Sequence, residues 1–227
     1  MSYAVKYGED ALNLFLDRSG IEALVTEEVI REAAGRGKDV LSTLVSRQRA
    51  ETLASINEST FRAAAAAGKT DVLDILVDLE PDITSEKALQ ELRHITEFRA
   101  AVESNNIQRA NKLLQSGVSP DLKDMDGATP LQFAVQEKYE EMVAILVKQS
   151  GVDVNSQDNY ESCLLLKAVV EDGSVRVVSS LVEAGADLQP VVRFAKTDRG
   201  DWLLYDRNEF PILIRELFEL KGAPLVP

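Results

Sequence analysis

The sequence predicts an all-α solenoid of about six stacked helix pairs joined by short hairpin links. Three observations carry this. Glycines that follow an apolar run recur at Gly117, Gly151 and Gly185, 34 residues apart both times; a fixed period of that size marks a repeat array. The small residues Ala101, Ala134 and Ala168 recur in step, spaced 33 and 34. Between them the apolar residues follow helical spacing: Met142, Val143, Ile145 and Leu146 in one unit, Val177, Val178, Leu181 and Val182 in the next. With 12 glycines and 7 prolines in 227 residues, there is little room for a many-turned β fold.

Taken in chain order, residues 1–24 are an N-terminal cap, in which "EDALNLFLDRSG" (9–20) reads as one amphipathic helix. Degenerate helical repeats follow over 25–93, seen in "VTEEVIREAAGRGKDVLSTLV" (25–45) and "INESTFRAAAAAGKTDVLDILV" (56–77). Thr26 and Ser59 are the expected helix caps, with Glu27 and Glu28 favoured in the first turn. Gly37 and Gly68 fall at the turn between the two helices of each unit. The stretch "AAAAAGKT" (63–70) ends like a phosphate-binding loop, but position 63 is alanine and the alanine run favours helix. Gly68 is therefore a turn, Lys69 a solvated turn residue, and nucleotide binding is set aside.

The clearest units occupy 94–189. Each fits a short helix, a tight turn and a second helix, after which glycine adopts the left-handed conformation that closes a helix. Residues 190–227 form an irregular C-terminal cap repeat. "FPILIRELFELKGAPLVP" (210–227) reads as its last helix, but the stretch between Ala195 and Phe210 is too long for the frame.

The residues of 124–155, "DMDGATPLQFAVQEKYEEMVAILVKQSGVDVN", resemble an ankyrin repeat. Asp124, Gly127, Thr129, Pro130, Leu131, Ala134, Gly151, Asp153, Val154 and Asn155 match the family pattern. Departures are Gln132 for the usual histidine, Lys138 for the inter-helix glycine, and Ser150 as an insertion. The following unit keeps "EAGADL" but has "CLLL" (163–166) in place of Thr-Pro-Leu-His. Residues 10–80 are similar to the degenerate helical repeats that accompany ankyrin arrays in large fungal proteins, which implies a fungal source.

Composition narrows the partners. A formal net charge of −13 argues against nucleic-acid and anionic-membrane surfaces. A charged partner is expected to be basic. No run approaches a membrane span, and the start lacks the basic-then-apolar pattern of a secretory signal. The single Cys163 cannot close an internal disulfide, nor does the single His94 form a zinc site with it. No cofactor and no metal are implied. Asp121, Asp124 and Asp126 read as hairpin chemistry, His94 as a structural helix residue, and Arg199-Gly200-Asp201 as a chance tripeptide. The expectation is an intracellular monomer, cytoplasmic with the nucleus left open, whose initiating Met and capped ends favour a complete chain over a receptor fragment.

The resemblance implies a non-catalytic scaffold or adaptor that holds a protein or peptide on its concave face, along the hairpin tips and first helices. The partner-binding candidates are Met125, Asp126, Gln132, Phe133, Gln136, Asn159 and Tyr160, with Trp202 and Tyr205 from the irregular segment. Ala128 and Ser162 vary with them. A second reading is a small fungal enzyme of cyclase or isomerase type, sited near 196–210, where Asp198, Arg199, Asp201, Tyr205, Asp206 and Arg207 crowd together.

Overall fold

The computed structural model describes residues 2–18, 25–47, 49–80, 85–124, 126–159, 163–172, 174–197 and 209–222. Every regular element among them is helical. The chain divides into two compact units, the first comprising Met1–Ala101, Lys112–Ser119 and Lys123–Met125 and the second the remainder.

In the first unit, α1 (Ser2–Lys6) and α2 (Glu9–Arg18) precede α3 (Glu27–Arg36) and α4 (Lys38–Arg47). Then come α5 (Arg49–Ser55), α6 (Glu58–Ala66), α7 (Thr70–Leu79) and the greater part of α8 (Glu86–Glu103). Two rows result: α1 packs on α3 and α3 on α6, while α2 packs on α4 and α4 on α7. Each row presents an apolar stripe to the other, and Leu12, Ile30, Leu41, Leu44, Phe61, Leu73 and Leu76 are fully or almost fully buried in one core. The N-terminal cap is thus a helix pair rather than a single helix. Gly8, at φ 94°, makes its turn without the steric penalty a side chain meets there. The short α5 is an addition that the repeat frame does not contain. Its Thr52 is buried and donates to the Leu44 carbonyl at 3.3 Å.

Two caps were expected and one is relocated. Thr26 caps α3, its Oγ1 accepting from the Val29 N–H at 3.4 Å. At α6 the cap is Asn57, whose Oδ1 accepts from the N–H groups of Ser59 (2.9 Å) and Thr60 (3.3 Å), with Thr60 reciprocating to close a capping box. An amide at the cap reaches those two N–H groups directly, so Ser59 falls inside the first turn. The alanine run 63–66 is helical and Gly68 sits in the turn after it at φ 71°. That is a helix-to-helix turn and not a phosphate loop.

In the second unit, α10 (Pro130–Gln136) and α11 (Glu140–Leu146) form a pair. So do α12 (Leu164–Lys167), which runs on as a π-turn over Ala168–Asp172, and α13 (Val175–Glu183). The last pair is α14 (Gln189–Ala195) and α15 (Glu209–Leu220). The rows are again visible, α10 on α12 on α14 and α11 on α13 on α15. Helix α9 (Ile107–Gln115), like α8, contributes to both units. The repeat's small residues are buried as the spacing predicts: Ala134 and Ala168 at 0% exposure, Ala101 at 4%. Gly117, Gly151 and Gly185 lie at φ 92°, 90° and 93°; Gly117 and Gly185 stand just past α9 and α13, while Gly151 closes the turns that follow α11, five residues after Leu146. At Gly185 the following Ala186 N–H reaches back to the Leu181 carbonyl at 3.0 Å, the six-to-one bond of a glycine-closed helix.

The π-turn has a source in the sequence. From Ala134 to the N-cap of the next helix, Tyr139, is five steps; from Ala168 to its counterpart Ser174 is six. One extra residue is accommodated by widening the last turn of the first helix, the usual role of a π-bulge. The other irregularity is the link after α14. The added length of the last unit falls between Ala195 and Glu209, and most of it lies outside the described residues.

Candidate partner-binding surface

The site begins with a cap. Thr129 Oγ1 accepts from the Gln132 N–H at 3.2 Å, and Gln132 Oε1 accepts from the Thr129 N–H at 2.7 Å. Pro130 fills the first helical position, where an N–H is not needed. Gln132 also donates from Nε2 to the Ser156 carbonyl at 2.8 Å, and it is only 8% exposed. Its amide is therefore committed to joining α10 to the following link and offers nothing to a partner. In the next unit both members of this box are replaced, by Cys163 and Leu166. Cys163 sits at the N-cap with extended backbone (φ −82°, ψ 115°) and makes no side-chain cap hydrogen bond.

The hairpin tips are tied to one another. The Asn159 N–H donates to the Asp126 carbonyl at 2.9 Å. Gly127, at φ 74°, lets the two segments approach: a Cβ there would lie 2.7 Å from Asn159 Oδ1. One link further on, Asn155 Nδ2 donates to the Gly185 carbonyl (3.2 Å) and its Oδ1 accepts from the Asp187 N–H (2.7 Å). One backbone–backbone bond and one side-chain amide bridging to backbone thus hold successive tips in register. Asp126 is half-buried and Asn159 exposed on this edge.

On α10, Phe133 is half-buried and meets Tyr139 edge-on, ring centroids 6.3 Å apart at 63°. The Tyr139 hydroxyl donates to the Glu103 carbonyl at 3.3 Å. Gln136 is exposed and its Oε1 accepts from Lys167 Nζ at 3.0 Å. Hence Asp126, Phe133, Gln136 and Asn159 are brought to the tips and first helix of one unit and the link after it. Met125, Tyr160, Trp202 and Tyr205 lie outside the described residues, as do Ser162 and the 199–201 tripeptide. Sequence reasoning passed over Lys167 and Val170. Aligning the second unit on the first, residue by residue from Cys163, would have placed both on the same row.

No group of three or more His, Cys, Asp or Glu side chains among the described residues is arranged to hold a metal ion. Asp124 is instead ion-paired with Arg99 at 2.6 Å, the two side chains 16% and 7% exposed. His94 is half-buried on α8 and Cys163 is a half-buried free thiol. In the first unit the Ser59 hydroxyl donates to Glu27 Oε1 at 2.9 Å. That bond, then one from the Asn57 side chain, holds the Glu27 carboxyl below its usual range. No helix among the described residues is long and apolar enough to cross a membrane.

Stacked helix pairs, left-handed glycines after the second helices, and tips tied in register define a helical repeat solenoid. Residues 98–191 match the description "Ankyrin repeats (3 copies)", so this part of the chain is an ankyrin-repeat array. An ankyrin repeat protein of Fowlpox virus (strain NVSL) is 29% identical over 136 residues, covering 59% of this chain and 30% of the relative. An ankyrin repeat-containing protein of Treponema pallidum is 36% identical over 128 residues, 56% of this chain and 41% of the relative. NF-kappa-B inhibitor alpha of Sus scrofa is 31% identical over 99 residues, 41% of this chain and 31% of the relative. The chain thus spans less than half the length of these relatives. Ankyrin repeats are in general protein–protein interaction modules.

Proposed function

We propose that this chain is a non-catalytic scaffold or adaptor whose hairpin tips and first helices hold a protein or peptide partner. The observation that carries the reading is the tied edge of the second unit. Successive tips are joined by the Asn159 N–H to the Asp126 carbonyl and by the Asn155 side-chain amide to the backbone of Gly185 and Asp187, so a row of side chains is held with little entropy left to lose on binding. Asp126, Phe133, Gln136 and Asn159 are the residues of this row assigned to the partner; Met125, Tyr160, Trp202 and Tyr205 remain candidates on sequence grounds. A basic partner fits the edge. Across 126–129, 152–159 and 185–188 the sequence holds Asp126, Asp153, Asp158 and Asp187 and neither Lys nor Arg. The protein acts as a monomer on its own side of such a complex.

The test is affinity capture with mass spectrometry, run in parallel with wild type and a Gln136→Arg/Asn159→Arg double variant. Both positions are exposed, so the variant keeps its fold. A partner held by the wild type and released by the variant supports the assignment, and its capture should weaken as salt screens the edge. Equal capture by both rejects the surface. No specific capture by either rejects the scaffold reading.

A further inference from the structure

Among the described residues five large apolar side chains are exposed: Tyr7, Leu14, Val170, Ile212 and Leu220. Tyr7 lies in the turn after α1, Leu14 on α2, and Ile212 and Leu220 on α15, whereas Val170, 44% exposed, is the one that lies inside the ankyrin array. Its register is informative. Two residues after the buried alanine, the earlier units carry polar residues, the half-buried Glu103 and the exposed Gln136. The third unit puts a valine there. The core does not need it, because the adjacent Val169 is 1% exposed and fills the interior position. Leu166, four residues before Val170 and half-buried, shares its face of the helix. Lys167, the cation of this helix, is held against Gln136 at 3.0 Å. The π-turn holds Val170 at the end of the first helix, close to the turn into α13.

The chemistry of an occupant follows from what flanks this apolar point. Cys163 caps the helix at the hairpin edge, and Val170 is seven steps further along α12 and its π-turn, about 10 Å along the axis. The edge carries the four carboxylates of Asp126, Asp153, Asp158 and Asp187. A bound segment with an apolar side chain on Val170 therefore has neighbours within reach of a one-sign negative rim.

Building on the reading of this chain as a protein-binding scaffold, we propose that Val170 and Leu166 are the apolar anchor for a basic partner segment. The segment sets an apolar side chain on Val170 while its Lys or Arg residues lie along the tip carboxylates. Apolar contact at the centre and complementary charge at the rim is the division of labour expected of a specific interface. Charge brings the segment to the edge, and the valine fixes its register.

The experiment is fluorescence anisotropy with the full chain and a labelled synthetic peptide of arginines with leucines at i, i+4 spacing. Matched peptides carry serine for leucine or glutamate for arginine. Val170→Ser should weaken binding of the Arg/Leu peptide about tenfold, the value of losing one buried valine contact. Val170→Leu should keep or tighten it. The serine-substituted peptide should bind about as weakly as the Arg/Leu peptide binds Val170→Ser, and should not distinguish Val170→Ser from wild type. The glutamate peptide should not bind. Equal affinity of wild type and Val170→Ser for the Arg/Leu peptide overturns the anchor, as does binding of the glutamate peptide. A partner still captured by wild type and released by Gln136→Arg/Asn159→Arg alongside either outcome leaves the scaffold reading standing; loss of capture altogether removes both.

Discussion

Replacing Cys163 with threonine should raise the stability of the chain, and the structure sets how much. The backbone at 163 is already extended, close to that of Thr129 (φ −84°, ψ 161°), so a hydroxyl placed there meets the geometry that serves the preceding unit. The N–H of Leu166 is the counterpart of the Gln132 N–H that Thr129 accepts, and Cys163 makes no side-chain bond to it. A helix cap contributes about 0.5–2 kcal/mol. The lower half of that range applies, because Leu166 cannot return a bond to position 163 as Gln132 does for Thr129. A gain of about 0.5–1 kcal/mol corresponds to a rise in Tm of about 1–4 °C for a domain of this size. Thermal unfolding of the two proteins side by side reads the difference. Hydrogen exchange locates it, since the Leu166 amide should exchange more slowly in the variant. A loss of more than about 1 kcal/mol would refute the reasoning, for it would mean that the hydroxyl had been buried without a partner. Position 163 would then belong to the core rather than to a helix cap.

Other perturbations test other links of the structure. Lys138 holds a left-handed conformation at φ 61°, where the ankyrin pattern has glycine. Lys138→Gly should relieve about 1–2 kcal/mol of strain against about 0.4–1 kcal/mol of added unfolded-chain entropy. The urea midpoint should therefore rise slightly; a fall would show that the bond from Lys138 Nζ to the Glu171 carbonyl outweighs the strain. Gly151→Ala and Gly185→Ala should each cost about 1–2 kcal/mol from backbone strain alone, since an added Cβ meets nothing within 4 Å at either site. Gly127→Ala should cost more in the same assay, because strain and a 2.7 Å approach to Asn159 act together. Glu27 titrates below its usual value in the folded chain. Its contribution is therefore complete above the unfolded carboxyl pKa and disappears as pH falls through the folded one. Glu27→Gln or Ser59→Ala should flatten the acid limb of a stability–pH curve, and an unchanged limb would show the Ser59 bond to be absent in solution.

Periodicity in one dimension was enough to define the fold. Glycines 34 residues apart, small residues in step and apolar residues at helical spacing follow from each unit repeating the same local solution: cap, helix, turn, helix, left-handed exit. Those signals are local, so they survive without knowledge of any neighbour. The row proposed for a partner was read in the same way, because Asp126, Phe133, Gln136 and Asn159 occupy the variable positions of a pattern whose fixed positions are structural.

What the sequence left open depended on contacts between units. Gln132 reads as a variable surface position, yet it is buried, because its amide bridges a carbonyl 24 residues away in the chain. Ser59 reads as a cap, yet Asn57 takes the role and frees the serine to meet Glu27 from the preceding pair. Helix α1 of the N-terminal cap and the short α5 carry no repeat signature; they form because the bare apolar face of a terminal pair, and of the joint after it, must be covered. The extra residue after Ala168 could have lengthened the turn, and the packing of α12 against its neighbours places it in the helix as a π-turn instead. Local spacing determined which residues form helices. Which side chains remain available to a partner was decided only when neighbouring units buried some and tied the tips of others together.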